Sequence, residues 1–326
     1  VRMGHPIKMN ILITGGTGYL GGRIADHLKT TSPDAKICLT VLDASHQRPS
    51  WTEGFEILQL DVLDAKSIAA CFEACDFDAV VHLAAVNEID SIKNPELAIG
   101  VNSKGVFDLL QIASDKGVNR FIYFSTFHVY GNTTPGVINE NSPTRPCHPY
   151  AITHRSAEDY VGYFGRYRGM QTLIFRLSNA YGYPMDASVD RWTLVFNDLC
   201  RQAIATGKIV LTSSGQQHRD FIALSDVARG VAYFLNSYNI WGDGLYNLGG
   251  NCSMSILQAA ERIACVYAET FSQPKPVIQA APDSYAQEGS EPVRYDISKL
   301  METGLTLTGD MDAEIKGTLE LCRTAL

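Results

Sequence analysis

The chain has 326 residues, of which 45% are hydrophobic and 19% are charged, and its formal net charge is −8. This composition is typical of a globular protein with one large or two modest domains. Because the acidic balance gives no general attraction to nucleic acid or to an anionic membrane, the sequence predicts neither as a partner, and an anionic ligand has to be bound by a few local arginines.

The eight cysteines are scattered without a CxxC pair, which indicates reduced core residues rather than a disulfide framework. Cys71 and Cys75 share a face of a predicted helix, but no histidine stands near them in the sequence to complete a zinc site, so we expect no metal. No run of roughly 18 apolar residues occurs, and residues 1–9 lack the apolar stretch of a secretion signal. We therefore expect a cytoplasmic protein.

Short β-rich runs alternate with helical patterns along the first part of the chain. Several of these runs are continuously apolar, as strands buried on both faces are. The clearest helix is predicted over 95–116, where Pro95 suits a first turn and apolar residues recur at helical spacing. The alternation predicts an α/β fold with a Rossmann-type doubly wound parallel sheet. The predicted strands are NILI (10–13), ICLTVL (37–42), ILQL (57–60), AVVHL (79–83), FIYFS (121–125) and TLIFR (172–176).

The pattern loosens after about residue 178, where short strands and helices alternate with polar loops. The segment 272–294 is rich in Pro, Gln and Ser and is predicted to be irregular. We expect the chain to enter and leave a smaller C-terminal α/β domain more than once. The predicted ranges are 9–177 plus 218–248 for the dinucleotide-binding domain and 178–217 plus 249–326 for the substrate domain.

The first predicted strand runs directly into TGGTGYLGG, residues 14–22. The spacing G-x-x-G-x-x-G lets the backbone turn tightly, approach a pyrophosphate and pack the next helix against the strand. The N–H groups at the start of that helix then face the phosphates. Because the motif follows a strand and opens a helix, we favour a dinucleotide site over an ordinary tight turn. Its predicted residues are Gly15, Thr17, Gly18, Tyr19, Leu20 and Gly21.

Two aspartates follow the next two strands. Asp43 can accept hydrogen bonds from an adenosine ribose, and its charge repels the additional phosphate of NADP, so NAD is the expected cofactor. His46 and Arg48 follow closely in the sequence and weaken this preference for NAD over NADP. Asp61 can reach the adenine or can cap the helix predicted over 64–75, and both interpretations remain open.

Further motifs extend over nearly the whole chain from Met9. Together with the glycine motif and the helix that begins near Tyr150, they resemble the extended short-chain dehydrogenase/reductase family, in particular its NAD-dependent nucleotide-sugar epimerase/dehydratase branch, similar to UDP-glucose 4-epimerase. The resemblance implies a nucleotide-diphosphate sugar as substrate and a homodimer formed through the helices at 95–116 and 150–168. The motifs are LDVLD (60–64), VVHLAA (80–85), NSKGVFDLL (102–110), FSTFHVYG (124–131), RLSNAYG (176–182), HRDFIALSDVA (218–228) and YDISKL (295–300).

The resemblance also implies a role for individual residues. Tyr150 matches the general base, and Thr126 matches the residue that hydrogen-bonds the sugar hydroxyl undergoing oxidation. Outside the resemblance, Asn179 reads as an ordinary turn residue and Arg219 as an ion-pair partner of Asp220. The positions that match cofactor contacts or their supports are Val62, Leu83, Ala84, Ala85 and Asn102, and those that match diphosphate contacts are Asn179, Arg219 and Arg294. The stretch AQEGSE (286–291) lacks a further arginine that relatives often carry.

His154 stands where most relatives have a lysine. A phenol can act as the base only if its pKa falls from about 10 toward the working pH, and the lysine charge supplies much of that shift. On a helix, i and i+4 share a face, so we expect the His154 ring to point into the same site as Tyr150 and to contact the cofactor. A neutral imidazole can bond a ribose hydroxyl but carries no obligatory charge. Three outcomes stay open: a working catalytic replacement, a changed reaction with a proton relay, or binding without turnover.

Residues 125–131, STFHVYG, help to choose among reactions. Relatives that dehydrate sugars usually carry an Asp-Glu pair after the Ser/Thr, because elimination needs an acid and a second base. Phe127 and His128 replace that pair here, with His128 either a wall residue or a substituted acid. The sequence therefore predicts a 4-epimerase-like enzyme that oxidises C4 of the sugar transiently. The alternatives are an oxidoreductase of NDP-4-keto-sugars with net cofactor turnover and a catalytically silent nucleotide-sugar binding protein.

Overall fold

A computed structural model describes residues 9–45, 48–131, 136–237, 241–281 and 294–325. The strands are β1 Asn10–Thr14, β2 Lys36–Val41, β3 Glu56–Gln59, β4 Ala79–His82, β5 Arg120–Thr126, β6 Val137–Ile138, β7 Gln171–Leu177, β8 Asn179–Tyr181, β9 Lys208–Leu211, β10 His218–Ala223, β11 Leu245–Leu248, β12 Ser253–Ser255, β13 Val277–Ala280 and β14 Arg294–Tyr295. The α-helices are α1 Tyr19–Thr31, α2 Ala65–Ala74, α3 Glu88–Lys93, α4 Pro95–Ile99, α5 Val106–Asp115, α6 Pro149–Tyr167, α7 Val195–Thr206, α8 Leu224–Leu235, α9 Ile256–Phe271, α10 Ser298–Glu302 and α11 Met311–Ala325.

The described residues form a central seven-stranded sheet in the order β11-β7-β5-β4-β1-β2-β3. All neighbours from β3 to β7 pair in parallel. β5 is buried at every position, which explains the continuous apolar run in its sequence. From β1 the chain adds β2 and β3 on one side and then β4, β5 and β7 on the other, which is the doubly wound order that the sequence predicts.

The strand order reverses between β1 and β4. In the parallel register of these two strands Thr14 is paired with His82, so the loops that follow both strands leave the sheet side by side. In an open α/β sheet, ligands bind outside the carboxyl ends of the strands at such a point. The glycine motif follows β1 and the predicted loop residues Leu83, Ala84 and Ala85 follow β4, so the topology brings both to one edge.

Contacts divide the chain into two units. The first spans Val1–Asn132, Glu140–Leu177 and Ala228–Asn247, and the second spans Thr133–Asn139, Ser178–Val227 and Leu248–Leu326. In the second unit β10 lies between β8 and β12, and α7, α9 and α11 contribute to one apolar core. The predicted range 218–248 is therefore divided here, because the partners of β10 belong to the second unit.

The helix predicted over 95–116 is present as three successive segments. α4 and α5 flank one π-helical stretch, Gly100–Gly105, in which each turn is wider than in an α-helix. Periodicity alone does not reveal this widening, because apolar residues on both sides of it still face the core. Asn102 lies buried in the wide turn.

The cysteines are present as thiols, and half of them are buried. All eight cysteines are free thiols, and Cys38, Cys71, Cys200 and Cys322 are buried. Burial raises the pKa of Cys71 to about 12, as for an inert core thiol. None of the described helices combines the length and the apolar composition that a membrane-spanning segment needs.

A buried ion pair joins α6 to the sheet. Arg176 on β7 donates from Nε to Glu158 Oε1 at 2.9 Å and from Nη2 to Glu158 Oε2 at 2.7 Å. Ser125 on β5 donates to the same carboxylate at 2.6 Å. Burial disfavours the charged guanidinium, but the bonds to Glu158 outweigh it and raise the pKa of Arg176. The pair therefore holds α6 against β5 and β7 in a fixed register.

Removal of one partner is expected to destabilise the protein strongly. Glu158→Gln leaves the buried guanidinium without its counter-charge, and we expect the free energy of unfolding to fall by about 3–5 kcal/mol. Urea unfolding followed by circular dichroism measures this change. The matched control is Asp159→Asn, since Asp159 is exposed and pairs with Arg155 on the helix surface. Its effect is expected within about 0.5 kcal/mol, and equal effects of the two substitutions would contradict the role of the pair.

Candidate active site

The glycine motif forms a tight turn between β1 and α1. Gly15 has a positive φ of 62°, and Gly18 N donates to Gly15 O at 3.0 Å. A Cβ atom on Gly15 would lie 3.1 Å from Ala84 N, and one on Gly21 would collide with the backbone of Gly15 and Gly16. Gly15 is therefore required by its backbone conformation, and Gly21 by the close approach of α1 to the turn.

Gly16 is a further required glycine that the motif spacing does not reveal. A Cβ atom at Gly16 would lie 2.8 Å from Leu39 Cβ and 2.9 Å from Ile13 O. Its N–H donates to Thr40 O at 3.1 Å, which fixes the turn on the neighbouring strand β2. The signal in the sequence is the adjacent glycine pair at 15–16, but the motif assigns a role to only one of the two.

The start of α1 has the features of an anion site. Gly18 is its N-cap and provides no side-chain cap, and the first turn contains no acidic residue. The positive end of the helix dipole therefore favours a negatively charged group there. Thr17 and Leu20 are half-buried in this turn, and the side chain of Tyr19 is buried. Together with the glycine backbone, this arrangement fits the pyrophosphate of a dinucleotide.

Thr14 and His82 fix the loop that follows β4. The Thr14 hydroxyl accepts from Leu83 N at 3.1 Å and from Ala84 N at 3.2 Å, and it lies 2.7 Å from His82 Nδ1. Because the hydroxyl accepts twice, its hydrogen points to Nδ1 and the neutral ring carries its own hydrogen on Nε2. Burial lowers the pKa of His82 to about 3. Neither residue was predicted as part of the site, although both lie inside its motifs.

The two aspartates after β2 and β3 are in local turns. Asp43 is exposed, and its Oδ1 accepts from Ser45 N at 2.8 Å. Asp61 Oδ1 accepts from Leu63 N at 2.9 Å. The N-cap of α2 is Asp64, whose side chain accepts from Lys66 N. The helix-cap interpretation of Asp61 is therefore wrong, because the helix begins one turn later, and the adenine contact remains a prediction.

Asn102 links three parts of the site. Its Oδ1 accepts from Val86 N at 2.7 Å and its Nδ2 donates to Val86 O at 3.0 Å, so it binds the backbone of the loop after β4 as a strand would. Nδ2 also lies 3.4 Å from Thr153 Oγ1 on α6. Val62 is buried against Gly105, which lies in the same wide turn as Asn102. The geometry agrees with a supporting role for Asn102, which is the role that the resemblance implies.

Thr126 and Tyr150 lie in the same unit, on the two elements that the Glu158–Arg176 pair joins. Thr126 ends β5, is 5% exposed, and its Oγ1 accepts from His128 N at 3.2 Å. That bond uses an acceptor site of Oγ1 and not its hydrogen. Tyr150 lies in the first turn of α6 and is half-buried.

His154 is almost completely buried beside Tyr150, and its contact with the cofactor stays a prediction. Its ring packs on the Tyr150 ring with the centroids 4.4 Å apart, as the helical spacing predicts. The side chain, however, is only 3% exposed, and Nδ1 lies 2.7 Å from the hydroxyl of Tyr123. Burial, followed by the nearby His82 and His128, lowers the pKa of His154 to about 3. The residue is therefore neutral at physiological pH and cannot replace the charge of a lysine.

The predicted diphosphate residues lie in the second unit. Asn179 Nδ2 donates to Asp220 O at 2.9 Å. Arg219 is exposed, whereas Asp220 is buried and its carboxylate accepts from Gly250 N at 2.9 Å and Cys252 N at 3.1 Å. Successive side chains of a strand point to opposite faces, so the alternative ion pair between Arg219 and Asp220 is not formed.

Arg294 is exposed on the short strand β14. The roles of Asn179, Arg219 and Arg294 stay predictions. His46 and the AQEGSE stretch at 286–291 lie outside the described residues.

A group beside Tyr150 was not predicted from the sequence. Glu88, His128 and His148 each place one ligand-type atom within 4.8 Å of the others. The ring centroids of His128 and His148 both lie 6.3 Å from that of Tyr150. The residues are far apart in the sequence, at the start of α3, after β5 and before α6, so no local pattern connects them.

Comparisons with known proteins agree with this architecture. The model of the NAD dependent epimerase/dehydratase family matches residues 11–249. The dTDP-D-glucose 4,6-dehydratase of Mus musculus is 31% identical over 286 residues, which cover 83% of this chain and 77% of that protein.

Two solved structures are similar over nearly the whole chain. The UDP-glucose 4-epimerase of Thermus thermophilus, solved in complex with NAD, has a TM-score of 0.80 at 24% identity and covers 98% of this chain and 100% of its own. The UDP-glucose 4-epimerase of Thermotoga maritima, solved with UDP-glucose, has a TM-score of 0.80 at 23% identity, with coverages of 97% and 99%. At these identities the structures establish the fold, and the predicted fold class is confirmed.

The two buried histidines are expected to make stability depend on pH. An unfolded histidine has a pKa of about 6.5, so between pH 6.5 and about 3 the unfolded chain binds protons that folded His82 and His154 do not. The free energy of unfolding should therefore fall as the pH drops through this window, by about 2 kcal/mol for each histidine between pH 7 and pH 5. Urea unfolding at both pH values measures it.

The variant His154→Gln isolates one of the two contributions. Its loss of stability from pH 7 to pH 5 should be about 2 kcal/mol smaller than that of the wild type. His218→Gln, at an exposed position, is the control and should follow the wild type. Parallel pH dependences for the wild type and His154→Gln would show that His154 is not neutral and buried.

Proposed function

Because the chain belongs to the NAD dependent epimerase/dehydratase family, we propose that it is a nucleotide-sugar 4-epimerase that acts by transient oxidation of C4. Membership confirms the resemblance predicted from the motifs and NAD as the cofactor. The observation that carries the proposed reaction is the composition of the site around Thr126. Phe127 and His128 stand where elimination of water would need an acid and a second base, whereas Thr126 and Tyr150 are both present.

Each proposed residue has one task. Thr126, whose bond to His128 N does not use its hydroxyl hydrogen, orients the sugar hydroxyl at C4. Tyr150 takes the proton of that hydroxyl and returns it after the keto sugar has turned its other face. When bound, NAD would supply the acceptor and donor of the C4 hydride. The diphosphate is proposed to contact Asn179, Arg219 and Arg294, since Arg219 is exposed and has no ion-pair partner among the described residues.

His154 changes the balance of charges in this site. A lysine would place a cation beside the phenol, whereas His154 is neutral and bonded to Tyr123. We propose that its role is to pack against the Tyr150 ring and fix its orientation. The proton-relay outcome is disfavoured, because an imidazole with a pKa of about 3 rarely carries a proton at neutral pH.

We further propose a homodimer formed through the helices at 95–116 and 150–168. Exposed apolar side chains on these helices support it, with Ile99 58%, Ile152 50% and Tyr163 43% exposed. Burial of such side chains against a second copy is favourable. A cytoplasmic location stays a prediction.

The reaction is tested by incubating the purified chain with UDP-, GDP-, CDP- and dTDP-sugars and analysing the products by mass spectrometry and NMR. We expect a product of unchanged mass with inverted C4, formed without net reduction of NAD. Loss of water would show a dehydratase, net consumption of NADH or NADPH an oxidoreductase, and binding without product a silent binding protein. Tyr150→Phe should lower kcat by about 10²–10⁴-fold, as expected for loss of a general base.

A cation at position 154 is expected to make the Tyr150 phenol more acidic. His154→Lys should shift the acidic limb of the pH–rate profile to lower pH by about one unit, because a nearby cation favours the ionised phenol. His154→Ala is the control without a new charge, and its limb should stay near that of the wild type. Unfolding curves of both variants establish that they are folded at the temperature of the assay. If neither substitution changes the profile, the charge at position 154 does not affect the base.

A further inference from the structure

Three side chains that the proposed reaction does not use converge at one point. Glu88 Oε2 lies 3.7 Å from His128 Nε2, and Glu88 Oε1 lies 3.8 Å from His148 Nε2. Both distances lie within ion-pair range but are longer than hydrogen bonds. The imidazole rings meet edge to face, with their centroids 5.1 Å apart. Two imidazole nitrogens and one carboxylate oxygen thus lie within 4.8 Å of one another.

The backbone of each residue is held by a bond of its own. Glu88 opens α3, where the cap Asn87 accepts from Asp90 N at 3.0 Å. His128 N donates to Thr126 Oγ1 at 3.2 Å. His148 precedes Pro149, which restricts it to the extended conformation that it has, with φ −142° and ψ 159°. The three side chains therefore start from defined positions, as a preorganised site requires.

We propose that Glu88, His128 and His148 bind one divalent transition-metal ion, such as Zn²⁺. Two histidines and one glutamate form a known zinc ligand set that leaves further coordination positions open. With bonds of about 2.1 Å in a tetrahedral site, ligand atoms lie roughly 3.4 Å apart, so the observed distances need only small side-chain adjustments. Two imidazoles favour a transition metal over Mg²⁺ or Ca²⁺, which prefer oxygen ligands.

The site is accessible. The side chains of Glu88, His128 and His148 are 47%, 30% and 23% exposed, so an ion can enter and keep a water molecule. The sequence led us to expect no metal, since its cysteines lack the spacing of a zinc site. The proposed site contains no cysteine, and its ligands are separated by whole secondary-structure elements.

The location gives the ion a consequence for the chemistry. Both histidine rings lie 6.3 Å from the ring of Tyr150, so a dication would place positive charge near a phenol whose helix neighbour His154 provides none. This consequence rests on the proposed function. The binding of the metal does not, because it depends only on the three ligands.

Metal binding is tested directly on the full chain. The protein is stripped with a chelator and titrated with Co²⁺, whose visible absorption reports coordination, and then with Zn²⁺ in competition. We expect one Co²⁺ per chain, displaced by Zn²⁺. Glu88→Gln and His148→Ala should each weaken binding by about tenfold or more, since even changes to residues that only support the ligands of a metal site have effects of that size.

Matched controls separate this site from adventitious binding. Glu96→Gln removes an exposed glutamate on α4, and His218→Ala removes an exposed histidine on β10, and both should bind Co²⁺ like the wild type. Circular dichroism establishes that each variant is folded. Failure of the wild type to bind Co²⁺, or equal affinities in the site variants and the controls, overturns the proposal. Because the readout is absorption and not turnover, failure of the epimerase assay leaves this test unaffected.

Discussion

The geometry of the candidate active site depends on one buried ion pair. Glu158 receives two bonds from Arg176 on β7 and one from Ser125 on β5, while it lies on the same helix as Tyr150. Ser125 directly precedes Thr126, so a single carboxylate relates the helix of the proposed base to the strand of its proposed partner. Such a pair gives little net stability compared with apolar packing, but breaking it is costly. Its contribution is therefore to allow one register between α6 and the sheet.

Arg176 extends this constraint further. Its Nη1 donates to the hydroxyl of Tyr130 at 2.9 Å, and that hydroxyl donates to Asn247 Oδ1 at 2.6 Å. Tyr130 ends the short helical turn Phe127–Tyr130 that also carries His128. The buried network thus fixes the segment that follows Thr126 as well as the strand before it. A fully satisfied buried network of this kind specifies a unique arrangement.

The cofactor side of the site follows a different principle, which is close backbone approach. Gly15 is required by its positive φ, and Gly16 and Gly21 are required because neighbouring atoms occupy the space of a Cβ. The single hydroxyl of Thr14 fixes the loop after β4, because it accepts from two successive N–H groups of that loop. On the catalytic side, by contrast, the decisive property is charge, since burial keeps His154 neutral next to Tyr150. An ion bound at the proposed metal site would supply a positive charge near Tyr150, which His154 does not.

The fold class and the cofactor motif can be read from local patterns in the chain. The alternation of apolar runs with helical patterns identified β1, β2, β3, β4, β5 and β7, and the glycine spacing located the turn after β1. These features are local, because the period of a strand or helix and the conformational demands of glycine act over a few residues. The position of Tyr150 and His154 on one helix face was readable for the same reason.

Other properties depend on residues that are distant in the chain and become visible only in the folded molecule. The burial of His154 and its bond to Tyr123, 31 positions away, set its charge state, and no helical pattern contains that information. Gly16 is required because Leu39 of another strand occupies its space, and Asp61 is not a cap because α2 begins after Asp64. Glu88 and His128 follow the neighbouring parallel strands β4 and β5, and the turn before α6 brings His148 to them. Sheet topology brings such residues together, whereas sequence spacing records only the lengths of the elements between them.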